Sequence, residues 1–387
     1  MRESTVKVFF ELVKRGLFSH TETTDSTENL VPSFKLQVSS DIDWGEVYRL
    51  AEEQSVIGLV SAGLDWFKVN DSRFMVLQTV ALQFIGQTLQ IEQRNKAMND
   101  FIADLIMKLR KADIYAILVK GQGLAQCYEK PLWRACGDVD LFLSDENYEK
   151  AKEFLIPRAS SVETEGVYGR HLGMSIDGWV VELHGRLRCG FSGRVDRVLD
   201  EIQNETFYGG SVSSWNNNGV QVFKLSKENE VLYVFAHFLG HFYKGGIGLR
   251  QICDWCRLLW AYRSELDIRK LETLVKWAGL VSEWKAFYNL ASRYLGMPDF
   301  GSGLTVHDSR FDKKADRIME FILKSGNMGH NRDMSHFSKY PYLIRKCVSM
   351  GRRIGDLINH ARIFPLDSLR FFPRIMFNGV RSAIRGE

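Results

Sequence analysis

Apolar positions along the chain change period twice. In Thr5–Leu17, Val6, Phe9, Phe10, Val13 and Leu17 recur at helical spacing. After a Ser/Thr/Asn-rich stretch, Ser19–Ser33, which reads as an exposed loop, the run Val47, Leu50, Ala51, Val56, Ile57, Leu59 opens a helical bundle. Asp71–Lys111 keeps apolar residues at i, i+3 and i+4 throughout, predicting one long helix or two collinear ones. Shorter apolar runs then predict strands at Tyr115–Val119, Val139–Leu143, Ser161–Tyr168, His171–Ile176 and Trp179–His184, with Asp177-Gly178 as a tight hairpin turn. Helices are expected at Leu124–Tyr128 and Asp145–Leu155, the second capped by Asp145 and ended near Pro157. Beyond the turn signal Asn216-Asn217-Asn218-Gly219 the helical period returns at Lys227–Phe242, Leu249–Ala261, Ile268–Ala278, Val281–Leu295 and Lys313–Lys324. Tyr340–Arg385 reads as one or two amphipathic helices whose length Pro365 and Pro373 limit. The order predicts an α+β protein: a helical region over 1–110, a strand-containing core over 111–224, a helical domain over 225–338 and a basic amphipathic tail over 339–387.

With 25% charged and 45% hydrophobic residues, the 387-residue chain has the profile of an ordinary globular protein, so disorder is not the default expectation for any long region. Lys7, Glu11 and Lys14 interrupt the first apolar stretch, so no secretory signal is expected. Val231–Phe242 and Phe74–Ile85 fall short of the ~20 residues of a spanning helix, so no transmembrane segment is expected. Six scattered cysteines read as reduced thiols of a cytoplasmic protein. Cys253-Asp-Trp-Cys256 continues a helical pattern and lacks a second pair, and the i, i+4 pair His237 and His241 lacks a third ligand, so neither reads as a zinc site. From Lys339 onward basic residues greatly outnumber acidic ones. Such a tail suits an anionic partner, a membrane surface or RNA, or is the solvated face of a packed helix; the first places the protein at the membrane periphery.

The chemistry concentrates between Ala116 and Leu143. Asp138 and Asp140 share one face of a strand while Val139 points to the core. Two adjacent carboxylates repel unless a cation separates them, and hard oxygen ligands suit Mg²⁺. Arg134, just before this strand, can pair with phosphate, with the carboxylates, or in a structural salt bridge. The loop Lys120-Gly121-Gln122-Gly123 does not match the P-loop pattern, which disfavours a P-loop ATPase.

The strand-end Lys-Gly loop followed by Arg134 and Gly137-Asp-Val-Asp-Leu resembles the DNA polymerase β-like nucleotidyltransferase superfamily. More narrowly, Leu118-Val-Lys-Gly through Tyr128, Pro131, Arg134 and Gly137–Leu141 resembles a bacterial family of uncharacterised nucleotidyltransferases. The likeness runs from Lys111 to Arg188, with a looser echo over His237–Leu258. It implies a small mixed-sheet nucleotidyltransferase core and transfer of an NMP from an NTP, with ATP the expected substrate, to an acceptor hydroxyl with release of pyrophosphate. It also implies Mg²⁺, or Mn²⁺, held by Asp138, Asp140 and a third carboxylate, Glu182, that the hairpin turn should bring alongside. Lys120, Gly121, Gln122, Gly123 and Arg134 would bind the nucleotide, although the loop departs from the superfamily's usual Gly-Gly or Gly-Ser pair. His184, Lys244 and Arg250 are candidate substrate contacts. The acceptor could be a small molecule, a sugar, a protein side chain or an RNA end. Competing readings are a non-catalytic nucleotide- or partner-binding module on the same fold, and a toxin-like transferase acting on tRNA.

Overall fold

The computed structural model describes residues 2–18, 42–70, 76–166, 170–299, 303–327 and 341–385. The Ser19–Ser33 loop lies outside them. Helices α1 (Glu3–Leu17), α2 (Trp44–Glu53), α3 (Ile57–Asn70) and α4 (Gln78–Lys111) precede the sheet. Strands and helices then follow as β1 (Ala116–Val119), α5 (Gly121–Ala125), β2 (Asp138–Leu143), α6 (Asp145–Leu155), β3 (Ser161–Val162), β4 (His171–Ile176), β5 (Trp179–His184), α7 (Gly193–Phe207), β6 (Val212–Asn217) and β7 (Val220–Leu225). The remainder is helical: α8 (Lys227–Lys244), α9 (Leu249–Tyr262), α10 (Ile268–Ala278), α11 (Val281–Leu295), α12 (Asp312–Ser325), α13 (Tyr342–Ala361) and α14 (Pro365–Arg385). This is the expected α+β organisation, with helices flanking the core at both ends.

The described strands form one seven-stranded mixed sheet in the order β3-β4-β5-β2-β1-β7-β6. β1 lies antiparallel to β2 and parallel to β7, while β2 and β5 are parallel neighbours. Asp177 and Gly178 both take positive φ, 51° and 81°, closing the β4–β5 hairpin as the sequence predicts. Alternation divides the sheet's faces. Val139, Leu141, Val181 and Leu183 enter one core with Ile102, Leu105 and Leu109 of α4 and Tyr148 of α6. The opposite face carries Asp138, Asp140, Glu182 and His184, and α8 and α9 roof it.

Four local expectations need correction. Ser144, not Asp145, caps α6: its hydroxyl accepts from the Asn147 amide, and Asp145 serves the first turn as an acid favoured by the helix dipole. The helix after β1 starts at Gly121 rather than Leu124, because Lys120 turns the chain sharply at φ 59°, ψ −146°. β3 covers only Ser161–Val162. Pro373 sits inside α14 instead of ending it. Pro373 and Leu369, four residues before it, are both exposed, so the hydrogen bond that Pro373 cannot make belongs to the solvent side of the helix.

A buried acid joins α11 to the carboxyl-terminal helices. Glu283 is fully buried, accepts a 3.2 Å bond from the Tyr243 hydroxyl, and is pushed up to about 8 by burial and then by Asp367 of α14. Folded, this carboxyl keeps its proton up to about that pH; unfolded, it loses it near 4.5. Its contribution to stability is therefore complete below the unfolded value and is lost as pH rises through the window between the two. Glu283→Gln should leave the urea midpoint little changed at about pH 4.5 and raise it at about pH 8. Equal shifts at both pH values would refute this assignment.

Candidate active site

Two parallel strands build the floor of the site. β2 and β5 pair in the register Asp138↔Val180, Asp140↔Glu182 and Phe142↔His184, so Glu182 lies beside Asp140 on the same face. Carboxylate oxygens of Asp138, Asp140 and Glu182 all lie within 4.8 Å of one another. The β4–β5 register adds His171 opposite His184. Above the floor is a cavity of about 430 Å³.

The charges in this floor are strongly interdependent. Lys120 Nζ lies 2.9 Å from Asp140 Oδ1, and the His184 ring nitrogen Nε2 lies 2.7 Å from the same oxygen. Burial alone would raise the Asp140 carboxyl, but the Lys120 ammonium and the bond from His184 hold it below the usual carboxylate range. Glu182 responds likewise: burial opposes ionisation, yet His171 at 3.0 Å and His184 at 3.5 Å hold its carboxyl far below normal. Asp138 moves the other way, pushed up by burial and by the Asp140 charge. His184 is pulled up, its burial outweighed by Asp140 and Glu182. His237 is driven well down by burial and by Lys120, whose Nζ lies 3.4 Å from its Nε2, and His241 is lowered to about 4 by burial and then by Lys120 and Lys244. A cationic Lys120 thus faces a neutral histidine pair on one side and ionised carboxylates on the other.

The loop after β1 is set by backbone constraint. Lys120 holds a positive φ that a side chain rarely adopts, and strain of this kind gathers at functional sites. Gly121 follows at φ 49°, and a Cβ there would sit 3.4 Å from the Asp138 carbonyl, so the loop lies against the start of β2.

The structure gathers Lys120, Gly121, Arg134, Asp138, Asp140, Glu182, His184, Lys244 and Arg250 around the cavity. Gln122 and Gly123 are not in its wall. Gln122 is buried and donates to Asn95 of α4 at 2.7 Å, while Gly123 packs on Leu118 and Lys224. Arg134 is at the wall, but its guanidinium is held bidentately by Asp254 of α9, both bonds at 2.7 Å, rather than by Asp138 or Asp140. The turn bearing it is fixed from two sides. Asn95 donates to the Leu132 and Arg134 carbonyls at 2.7 and 2.8 Å, and a Cβ at Gly58 would overlap the Trp133 carbonyl. Lys244 donates to the Cys189 carbonyl and Arg250 to that of Ala135.

Sequence reasoning missed His171 and Tyr233; the likeness over His237–Leu258 implies that this stretch walls the pocket, as it does, but gave His237, His241 and Asp254 no role of their own. His171 was findable: it and His184 are equidistant from the Asp177-Gly178 turn, so a two-residue hairpin sets them opposite each other. Among the described residues, His237 and His241 join no cluster able to hold a metal; their Nε2 atoms lie 3.1 Å apart and wall the cavity. Cys253 and Cys256 are buried free thiols on α9, as the helical reading expects.

A mixed sheet with three converging carboxylates beside a Lys-Gly loop has the layout expected of a nucleotidyltransferase. The chain belongs to a family described as uncharacterised nucleotidyltransferases, whose model matches residues 40–296. The match reaches well beyond the acidic strands, taking in α2 to α4 before them and α8 to α11 after them. No curated protein and no solved structure matches the chain.

Proposed function

We propose that this protein is a metal-dependent nucleotidyltransferase of the DNA polymerase β-like superfamily, moving an NMP from an NTP to an acceptor hydroxyl and releasing pyrophosphate. The observation that carries the reading is the convergence of Asp138, Asp140 and Glu182 from two parallel strands onto the floor of one cavity. The donor set fits a hard divalent cation such as Mg²⁺ or Mn²⁺: three carboxylates close together, one of them, Asp138, kept from ionising freely by burial and then by its neighbour's charge. When bound, such ions supply positive charge for the attacking and leaving oxygens of an in-line displacement. Asp138, Asp140 and Glu182 would be the ligands. His171 and His184 orient Glu182 and Asp140 and keep them ionised. Lys120 places a cation at the cavity's edge, where an NTP phosphate can compete for it, and Gly121 leaves the loop backbone open to approach. ATP is the proposed nucleotide.

One observation favours a second reading, a non-catalytic binding module. The Lys120 ammonium, 2.9 Å from Asp140, already balances part of the charge that a metal would balance. Titration with Mn²⁺ in the presence of ATP, followed by electron paramagnetic resonance, separates the two. The enzyme reading expects bound Mn²⁺ in the native protein and affinity weakened at least about tenfold in Glu182→Gln. Equal Mn²⁺ binding by both proteins, or none by either, would favour the binding module.

A further inference from the structure

The carboxyl-terminal pair α13–α14 packs one face on the body and leaves another open. On α14, Phe371 and Ile375 are buried, with Phe371 edge-on to Phe191 and near Tyr243. Arg374 pairs with Asp196 at 2.8 Å and Asn378 donates to the Gly190 carbonyl at 2.8 Å, so α14 is clamped to the segment that leads from the cavity wall into α7. The other side of the helix is apolar and in water: Leu366 is 80% exposed, Leu369 74%, Phe377 66% and Val380 39%. With Pro373, also exposed, these residues fall within about 80° of helical arc at ~3.6 residues per turn. α13 repeats the pattern with Ile344, Ile354 and Ile358 exposed.

An open apolar stripe needs a cover, and the charge around it selects one. Residues 341–385 hold nine Lys and Arg side chains against Asp356 and Asp367. Arg370 and Arg381 are exposed on α14 itself. RNA would use the arginines and could stack a base on Phe377, but it has no use for the row of Leu366, Leu369 and Val380, whereas a lipid interface uses all of them: apolar side chains enter the headgroup boundary and cations meet anionic headgroups. No helix among the described residues is long and apolar enough to cross a membrane, so the helix would lie along the surface.

We infer that α14, with α13 beside it, is an interfacial helix that seats the protein on an anionic lipid surface through Leu366, Leu369, Phe377 and Val380. This goes beyond the proposed transfer activity and does not depend on it.

The test is co-sedimentation of the full chain with vesicles of phosphatidylcholine alone and with about one third phosphatidylglycerol. Binding is expected on the anionic vesicles, weaker on the neutral ones and weaker in high salt. The exposed double variant Leu369→Glu/Phe377→Glu should keep its thermal midpoint and lose at least about tenfold in partitioning. Arg381→Glu should lose less, and only on anionic vesicles. Three results would overturn the inference: no sedimentation of the native chain with anionic vesicles; binding unchanged in the double variant; or a native dimer by light scattering that the double variant converts to monomer, which would give the face to a second copy. In the first of these cases, RNA binding that survives Leu369→Glu/Phe377→Glu would assign the arginines to RNA.

Discussion

Asp140→Asn is expected to weaken Mg²⁺-dependent NTP binding by about a hundredfold or more and to remove detectable NMP transfer, while the chain still folds. Asp140 is the most connected carboxylate in the site: it is 1% exposed, meets Lys120 at 2.9 Å and His184 at 2.7 Å, and lies beside Glu182 across the parallel register. Asparagine keeps an acceptor oxygen for those two donors but removes the charge that a divalent cation requires. Loss of the charge-assisted bonds should cost about 1–3 kcal/mol of stability, seen as a lower urea midpoint with an unchanged slope. The charge left on Lys120 still faces Asp138, which limits the damage. Retention of native Mg²⁺–NTP affinity in this variant would remove Asp140 from the site.

The second large effect concerns stability. Asp254→Ala should cost about 3–5 kcal/mol, because it strands the Arg134 guanidinium in the interior. The pair is nearly inaccessible, with side chains 4% and 6% exposed, and the Tyr128 hydroxyl adds a third bond to Asp254 at 2.7 Å. Burial works against the charge on Arg134, and Asp254 more than restores it, leaving the guanidinium firmly cationic. Replacing both partners, Arg134→Met/Asp254→Leu, should recover a large part of the loss, since two apolar groups no longer need each other. Additive losses in the urea midpoints of the two single variants and the double variant would mean that the two side chains act independently and would contradict a coupled buried pair.

Much of the site was legible because its geometry is local. Alternation along β2 put Asp138 and Asp140 on one face, and the Asp177-Gly178 turn fixed the hairpin bearing Glu182 and His184. The same turn also determined the position of His171, which required only counting outward from it. What local pattern could not supply was pairing between distant segments. That β5 runs parallel to β2 with Glu182 level with Asp140 is set by the whole sheet, and that Arg134 meets Asp254 depends on where α9 crosses the strands. Gln122 illustrates the same limit: its place in a glycine loop suggests a ligand contact, but Asn95 on α4, far back in the chain, takes its amide. The β6–β7 hairpin went unread apart from its Asn218-Gly219 turn. β6 is mostly polar, with Ser213, Ser214, Asn216 and Asn217 around Trp215, as suits the edge of the sheet, whereas β7 carries Val220, Val222, Phe223 and Leu225 in a short run beside β1. Ser144 and Asp145 are both good cap residues side by side, and only the backbone decides between them.

Whether these carboxylates hold a metal and a nucleotide is read from the thermal stability of the native chain and Asp140→Asn with each of the four NTPs, with and without Mg²⁺. A ligand that binds only the folded state raises the midpoint by mass action, so binding is visible before any acceptor is identified. The expected result is a rise with at least one NTP, ATP first among them, that requires Mg²⁺ and is lost in Asp140→Asn. No rise with any NTP, or a rise independent of both Mg²⁺ and Asp140, would contradict a metal-dependent nucleotidyl-transfer site at these carboxylates.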